Sequence, residues 1–137
     1  LASQIGAGGI GEIVGNLIGQ ALKIEGQNID SNVLTFTNWD DTSDRIYLYG
    51  DNDLANSLAG SALAENLFGG LQADTISGGG GNDVISGRAG ADVLTGGEGD
   101  DLFVYSSNAV NDGETVDGGN GIDTIEVFKG LSQFWRM

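Results

Sequence analysis

Aspartate and glycine recur at fixed places in the second half of the chain. From residue 69 to residue 104, four successive nine-residue units each begin with Gly and carry Asp at the sixth place; the aspartates are Asp74, Asp83, Asp92 and Asp101. Ca²⁺ takes about six to eight oxygen ligands from carboxylates and main-chain carbonyls. A glycine-rich loop presents carbonyls at a turn and the aspartate closes it with a charged oxygen, so the pattern predicts calcium binding.

The eighth place of every unit is apolar. Its occupants are Ile76, Ile85, Leu94 and Phe103. A six-residue loop followed by a three-residue strand turns this side chain inward, while the seventh and ninth residues face outward. Stacked units then bury a single apolar column, which is the arrangement of a repeat solenoid.

Weaker units precede the regular ones. Units 51–59 and 60–68 keep the apolar eighth residue, but Asn56 and Glu65 replace the sixth-place aspartate. They are interpreted as solenoid turns that retain the core and lose the loop chemistry.

The nine-residue phase also breaks once and resumes. Residues 105–117 are interpreted as one turn with a four-residue bulge, with Glu114 and Val116 at the sixth and eighth places. The phase returns in 118–126, where Asp123 and Ile125 again occupy those places, and Ile125 is expected to continue the core column.

The composition excludes many activities. Asp and Glu number 20 against 5 Lys and Arg, a net charge of -15, which argues against nucleic acid or an anionic membrane as partner. The absence of His and Cys removes thiol chemistry, most zinc sites and histidine acid–base catalysis. No apolar run reaches the length of about 18 residues that a membrane span needs. Leu1 in place of Met suggests an excised or processed segment.

The region before the repeats divides into two parts. Residues 1–28 show apolar residues near helical spacing, which predicts a short N-terminal helix capping the solenoid; a membrane helix that dimerises through its small residues is disfavoured, because polar residues interrupt the stripe. Residues 29–68 are expected to be a β-rich lead-in followed by the degenerate turns, 69–126 the calcium-binding solenoid, and 127–137 a tail.

The units GGGGNDVIS, GRAGADVLT, GGEGDDLFV and GGNGIDTIE resemble the nonapeptide G-G-x-G-x-D-x-U-x of the repeats-in-toxin (RTX) family, the haemolysin-type calcium-binding repeats. The resemblance implies an all-β fold, a right-handed parallel β-roll. It also implies that each ion lies between loops 18 residues apart. The first loop supplies the carbonyls of its second and fourth residues and its Asp, and the second loop those of its first and third residues and its Asp.

Carried over to this chain, the resemblance implies about three Ca²⁺ sites. The first pairs Gly79, Gly81 and Asp83 with Gly96, Glu98 and Asp101; the second pairs Gly70, Gln72 and Asp74 with Gly87, Ala89 and Asp92; the third pairs Gly97, Gly99 and Asp101 with Gly118, Asn120 and Asp123. A poorer site would set Ser61, Leu63 and Glu65 against Gly78, Gly80 and Asp83.

The resemblance further implies a non-catalytic, calcium-binding module that folds outside the cell, in a protein exported by type I secretion. The alternative is an adhesin, surface-layer or polysaccharide-binding module with a glycan or surface partner, extracellular or on the cell surface. Neither HExxH nor GxSxG occurs, so an enzyme is not expected, although the chain is compatible with a non-catalytic segment of a larger secreted enzyme or toxin. A calcium-free solenoid, with aspartates serving only as turn residues, is the structural alternative.

Overall fold

The computed structural model describes residues 12–14, 21–33, 35–37, 39, 44–106 and 113–128. Within these ranges the chain forms strands and one 3₁₀ turn, Ser31–Val33, and no α-helix. The strands are β1 (Glu12–Val14), β2 (Ala21–Glu25), β3 (Asn28–Asp30), β4 (Thr35–Thr37), β5 (Arg45–Tyr49), β6 (Ser57–Ala59), β7 (Glu65–Phe68), β8 (Thr75–Gly80), β9 (Val84–Ser86), β10 (Val93–Glu98), β11 (Leu102–Ser106), β12 (Thr115–Asn120) and β13 (Thr124–Phe128).

Successive strands from β5 onward alternate between two parallel sheets. Sheet 1 has the order β12-β10-β8-β6-β3 and sheet 2 the order β13-β11-β9-β7-β5-β2; β1 pairs separately with β4. Ile76 pairs with Leu94, and Ile85 with Phe103, so two nine-residue units complete one lap. This is the predicted all-β parallel solenoid. No described helix is long and apolar enough to cross a membrane.

The eighth-place residues form the core between the sheets, as the sequence predicted. Their neighbours at the seventh place, Thr75 and Val93, are exposed. The buried column contains Leu58, Leu67, Ile76, Ile85, Leu94 and Phe103 and continues into Leu22, Ile24, Ile46 and Leu48. Since buried residues alternate with more exposed ones along strands such as β2, β5 and β10, the apolar column fixes the register.

Ile125 departs from this column. Its backbone pairs in register with Phe103, but its side chain is 58% exposed. The prediction that Ile125 is a core residue is therefore wrong. The reason is its position: β13 is the outermost strand of sheet 2 in the described part of the chain, so Ile125 has a neighbouring strand on one side only.

The strands β8, β10 and β12 of sheet 1 are longer than three residues. Both β8 and β10 have six residues, because pairing continues through the first three residues of the following loop. On sheet 2, β9 keeps the expected three residues. The glycines of one edge thus belong to the ladder rather than to an irregular turn.

The helix expected over residues 1–28 is not confirmed. Among the described residues of that range, Glu12–Val14, Ala21–Glu25 and the start of β3 are strands; the others lie outside the described residues, except for the short connection after β2. The segment ALKIE alternates exposed and buried residues, and Leu22 and Ile24 pack into the core beside β5. Pairing with an available sheet edge outweighs the near-helical spacing of the apolar residues.

The bulged turn keeps the stacking of the loops on either side of it. Leu94 pairs with Val116 and Gly97 with Gly119, each 22 residues apart, as the four-residue bulge predicts. Val116 packs against the core at the eighth place. Residues 107–112 of this turn lie outside the described residues.

Candidate metal centre

The sixth-place carboxylates lie inside the loops and tie stacked loops together. Asp83 is buried, and its Oδ1 accepts a hydrogen bond of 2.8 Å from the main-chain N–H of Glu65, 18 residues earlier. The same bond joins Asn56 to Asp74, Asp74 to Asp92, Asp83 to Asp101 and, across the bulge, Asp101 to Asp123. Each aspartate therefore clamps the loop that precedes it on the same edge of the solenoid.

Buried carboxylate oxygens in the regular loops lack a hydrogen-bond donor. The Oδ2 atoms of Asp83 and Asp101 are buried and have no hydrogen-bond partner. Each lies against the first glycine of its own unit, where a Cβ on Gly78 or Gly96 would clash with it. The invariant first-place glycine thus leaves room for a carboxylate that folds back over the loop.

A carbonyl of the next stacked loop reaches the same place. The position that a Cβ on Gly78 would occupy lies 2.7 Å from Gly96 O as well as against Asp83 Oδ2. Gly118 O approaches Gly96 in the same way, beside Asp101 Oδ2. A buried carboxylate oxygen and a carbonyl oxygen with no amide between them suit a hard cation.

The glycines at the second and fourth places have left-handed backbones. Gly79 and Gly81 have φ values of 101° and 91°, and Gly97 and Gly99 have 117° and 118°. A Cβ on Gly97 would meet Gly79 O, and one on Gly99 would meet Gly81 O. The stacked loops therefore bring together the glycines that the first and third predicted sites require.

The loop of the second predicted site differs. Neither Gly70 nor Gln72 has a positive φ, and the N–H of Gly70 donates a 2.6 Å hydrogen bond to Asp74 Oδ2. Gly87 O does lie 2.6 Å from the Cβ position of Gly69, beside this carboxylate. Because both oxygens of Asp74 accept hydrogen bonds, this loop has less need of a cation than the loops that end in Asp83 and Asp101.

Two of the remaining predicted residues, Glu98 and Asn120, would contribute main-chain carbonyls while their side chains lie outside. Glu98 and Asn120 are exposed and bonded to each other, Nδ2 of Asn120 donating to Oε1 of Glu98 at 2.8 Å. Ala89 is half-buried, as are Gly118 and Asp123 near the end of the described solenoid. No group of three or more acidic side chains gathers around one point in the described part of the chain, so main-chain carbonyls must supply most of the ligands.

Burial makes the carboxylates costly to ionise. Burial raises the pKa of Asp83 to about 8. The neighbouring charges of Glu65 and Asp101 raise this pKa further, whereas the main-chain hydrogen bond from Glu65 lowers it. Desolvation and the charges of Asp123 and Asp100 also raise the pKa of Asp101. A divalent cation at these oxygens would offset both burial and repulsion, so the donor set fits Ca²⁺.

Two features of the loops escaped sequence reasoning. The Oδ1 clamp gives each aspartate a structural role besides metal binding, and only the 18-residue spacing signals it. An outer ladder runs parallel to it: Asn82 Oδ1 accepts from the N–H of Asp100, and Asp100 Oδ1 from the N–H of Ile122. The signal for this ladder is an Asn or Asp at the fifth place.

The pH dependence without calcium follows from Asp83. Its pKa in the fold is about 8, against 3.8 ordinarily, so the folded state holds a proton that the unfolded chain releases. Stability is therefore full below about pH 4 and is lost as pH rises toward 8. In calcium-stripped buffer we expect more β-structure by circular dichroism at pH 5 than at pH 8. A calcium-free fold that strengthens as pH rises through this range would contradict the assignment.

Comparison with known families supports the same chemistry. Residues 68–103 match the family model of the RTX calcium-binding nonapeptide repeat, in four copies. Neither the curated proteins nor the solved structures gave a significant match. The matched stretch covers the four successive loops that end in Asp74, Asp83, Asp92 and Asp101, and it ends before the unit 118–126. Residues 68–103 are accordingly similar to RTX calcium-binding repeats, and they lie within the parallel β-solenoid.

Proposed function

We propose that this solenoid is a non-catalytic module that folds when it binds calcium outside the cell. The observation that carries the proposal is the pair of buried Oδ2 atoms of Asp83 and Asp101, which lack hydrogen-bond donors and lie beside carbonyls of the next stacked loop. Burying such oxygens is unfavourable unless a cation or donor reaches them. Metal binding then contributes directly to folding.

The two best-formed sites share Asp101. One lies between the loops that end in Asp83 and Asp101, and the other between those that end in Asp101 and Asp123. Their left-handed glycines, Gly79, Gly81, Gly97 and Gly99, support this assignment. The site between Asp74 and Asp92 is the third, weakened by Gln72.

The charge of the chain supports export in an unfolded state. A net charge of -15 on 137 residues pushes a calcium-free chain apart, whereas bound divalent ions draw the loops together. Calcium sites of extracellular modules have dissociation constants of about 10⁻⁴ to 10⁻³ M. Such sites stay empty at the low calcium of the cytoplasm and fill outside, which suits passage through a type I secretion channel.

The test is a calcium titration of the whole chain by isothermal calorimetry, with trypsin resistance followed in parallel. We expect saturation at about 10⁻⁴ to 10⁻³ M free calcium, with protease resistance rising over the same range. Saturation below about 10⁻⁶ M would overturn the export proposal, since the chain would then fold before leaving the cell.

Removing one carboxylate charge from the best site is expected to raise the calcium requirement. For Asp83→Asn we expect the calcium midpoint of folding to rise by about tenfold or more, because ligand charge tunes calcium affinity. Asp53→Asn, an exposed residue of a degenerate loop, removes the same charge and should leave the midpoint nearly unchanged. Equal shifts in the two variants would show that overall charge, and not this site, controls folding.

A second candidate function, binding of a glycan, is favoured by the outer face of sheet 2. There the rings of Tyr47, Tyr49 and Phe68 form a half-buried stack, with Tyr49 and Phe68 centroids 5.0 Å apart. Lys23 and Arg88 lie over its rings. Titration of neutral and acidic oligosaccharides into the calcium-loaded chain and its Tyr49→Ala variant tests this function; binding that survives in Tyr49→Ala would exclude this surface.

A further inference from the structure

Asn56 occupies the sixth place of its unit and holds its loop closed with hydrogen bonds. Its side-chain Nδ2 donates to Asp51 O at 2.9 Å, to Leu54 O at 3.0 Å and to Asp74 Oδ1 at 2.8 Å. Its Oδ1 accepts from the N–H of Asp51 at 2.7 Å. The amide NH₂ group therefore donates hydrogen bonds to two carbonyl oxygens and one carboxylate oxygen, which are the kinds of oxygen that coordinate a calcium ion.

The Asn56 side chain folds back as the aspartates do. A Cβ on Gly50 would lie 2.6 Å from its amide, just as a Cβ on Gly78 would meet the carboxylate of Asp83. The back-folded placement of the side chain is thus kept, in a loop that is one residue longer, while the charge is not. An NH₂ group presents two partial positive hydrogens where the regular units present only acceptors.

The following loop is closed in a related way. Both oxygens of Glu65 accept from the N–H of Ser61, at 3.1 Å each, and the Ser61 hydroxyl also donates to Glu65. The N–H of Leu63 in turn donates to Ser61 Oγ at 3.1 Å. The longer side chain of Glu65 reaches donors within its own loop, so this loop is satisfied internally.

The turns that carry these loops also have a complete core. Ile46, Leu48, Leu58 and Leu67 are all 2% exposed or less. Their strands also pair with strands that precede the regular units, since β5 lies between β2 and β7, and β6 pairs with β3.

We propose that residues 45–68 hold their fold without calcium and form a fixed edge onto which the regular units pair when calcium binds. Hydrogen bonds of Asn56 and Ser61 take the place of the cation in this segment. The proposal rests on calcium-dependent folding of the regular units, and it places the boundary of that dependence near Gly69.

Residue-resolved hydrogen exchange on the whole chain in calcium-stripped buffer tests the boundary. We expect amides of β5 to β7 to exchange at least about tenfold more slowly than those of β8 to β11, and all of these strands to be protected after calcium is added. Absence of protection in β5 to β7 without calcium would overturn this inference and leave the proposed function standing. Full protection of β8 to β11 without calcium would overturn the proposed function as well.

The substitution Asn56→Asp tests the role of the amide. It replaces the NH₂ donors by a second carboxylate beside Asp74, so protection of β6 and β7 without calcium should fall by about tenfold or more and return with calcium. Asn52→Asp adds the same charge on an exposed residue of the same loop and should leave protection unchanged. Equal protection in the two variants would refute the claim that the Asn56 amide takes the place of a cation. The same claim would be refuted if calcium did not restore protection in Asn56→Asp. The exchange pattern of the unchanged chain tests the boundary independently.

Discussion

Removal of calcium is expected to abolish the β-structure of the strands β8 to β13, with loss of the part of the far-UV circular dichroism signal that these strands contribute. The regular loops bury carboxylates such as that of Asp83, whose second oxygen has no hydrogen-bond donor. Because burial raises the pKa of Asp83 to about 8, the calcium-free fold at neutral pH must keep a proton that the unfolded chain releases. One site at about 100 times its dissociation constant contributes about 2.7 kcal/mol, which is a large share of the stability of a marginal domain.

Magnesium should restore the signal poorly at the same concentration. Mg²⁺ demands octahedral geometry and keeps its water molecules, whereas the loops offer many carbonyls in an irregular arrangement. Circular dichroism in calcium, in magnesium and in calcium-stripped buffer provides the measurement. An unchanged spectrum after calcium removal at pH 7 to 8 would refute calcium-dependent folding.

The second large effect concerns the core. Leu94→Ala should lower the free energy of unfolding by about 2 to 5 kcal/mol, because Leu94 is 1% exposed and its removal leaves a cavity between the two sheets. The adjacent Val93 points outward and is 45% exposed, so Val93→Ala should cost well under 1 kcal/mol.

Urea unfolding of the two variants at saturating calcium compares them directly. The calcium concentration needed for folding should rise in Leu94→Ala, because calcium binding is coupled to folding, and should change little in Val93→Ala. A Val93→Ala cost equal to that of Leu94→Ala would mean that the strand faces the core with its other side, because a one-residue shift reverses every side chain.

The fold was largely accessible from the sequence because the nine-residue period fixes both strand spacing and inward face. Leu58 and Leu67 were recognised as core residues even without the glycines of their units. Residues 21–25 were not recognised as a strand, since their alternation is only five residues long and their partner, β5, is 20 residues or more away. Ile125 fits the column in sequence, yet exposure depends on which neighbours cover it.

The candidate site was only partly accessible. The aspartate and glycine columns indicate calcium, and Gln72, which stands where the other regular units have a fourth-place glycine, lies in a loop with a different backbone. What Asn56 and Ser61 do could not be predicted, because their roles depend on oxygens contributed by turns that are distant along the chain or folded back upon it. The spacing in the sequence identifies the place of a side chain in its loop. Only the three-dimensional contacts show whether a hydrogen-bond donor or a cation binds its oxygens.

The carboxylate clamps give the solenoid a polarity. Every sixth-place aspartate from Asp74 to Asp123 that forms a clamp accepts from an amide 18 or 22 residues earlier in the chain, in the same axial direction. Each lap therefore presents main-chain N–H donors toward the following lap and aspartate Oδ1 acceptors toward the preceding lap. A further lap can therefore form these hydrogen bonds in one orientation only, so the direction of the clamps fixes the direction in which laps stack.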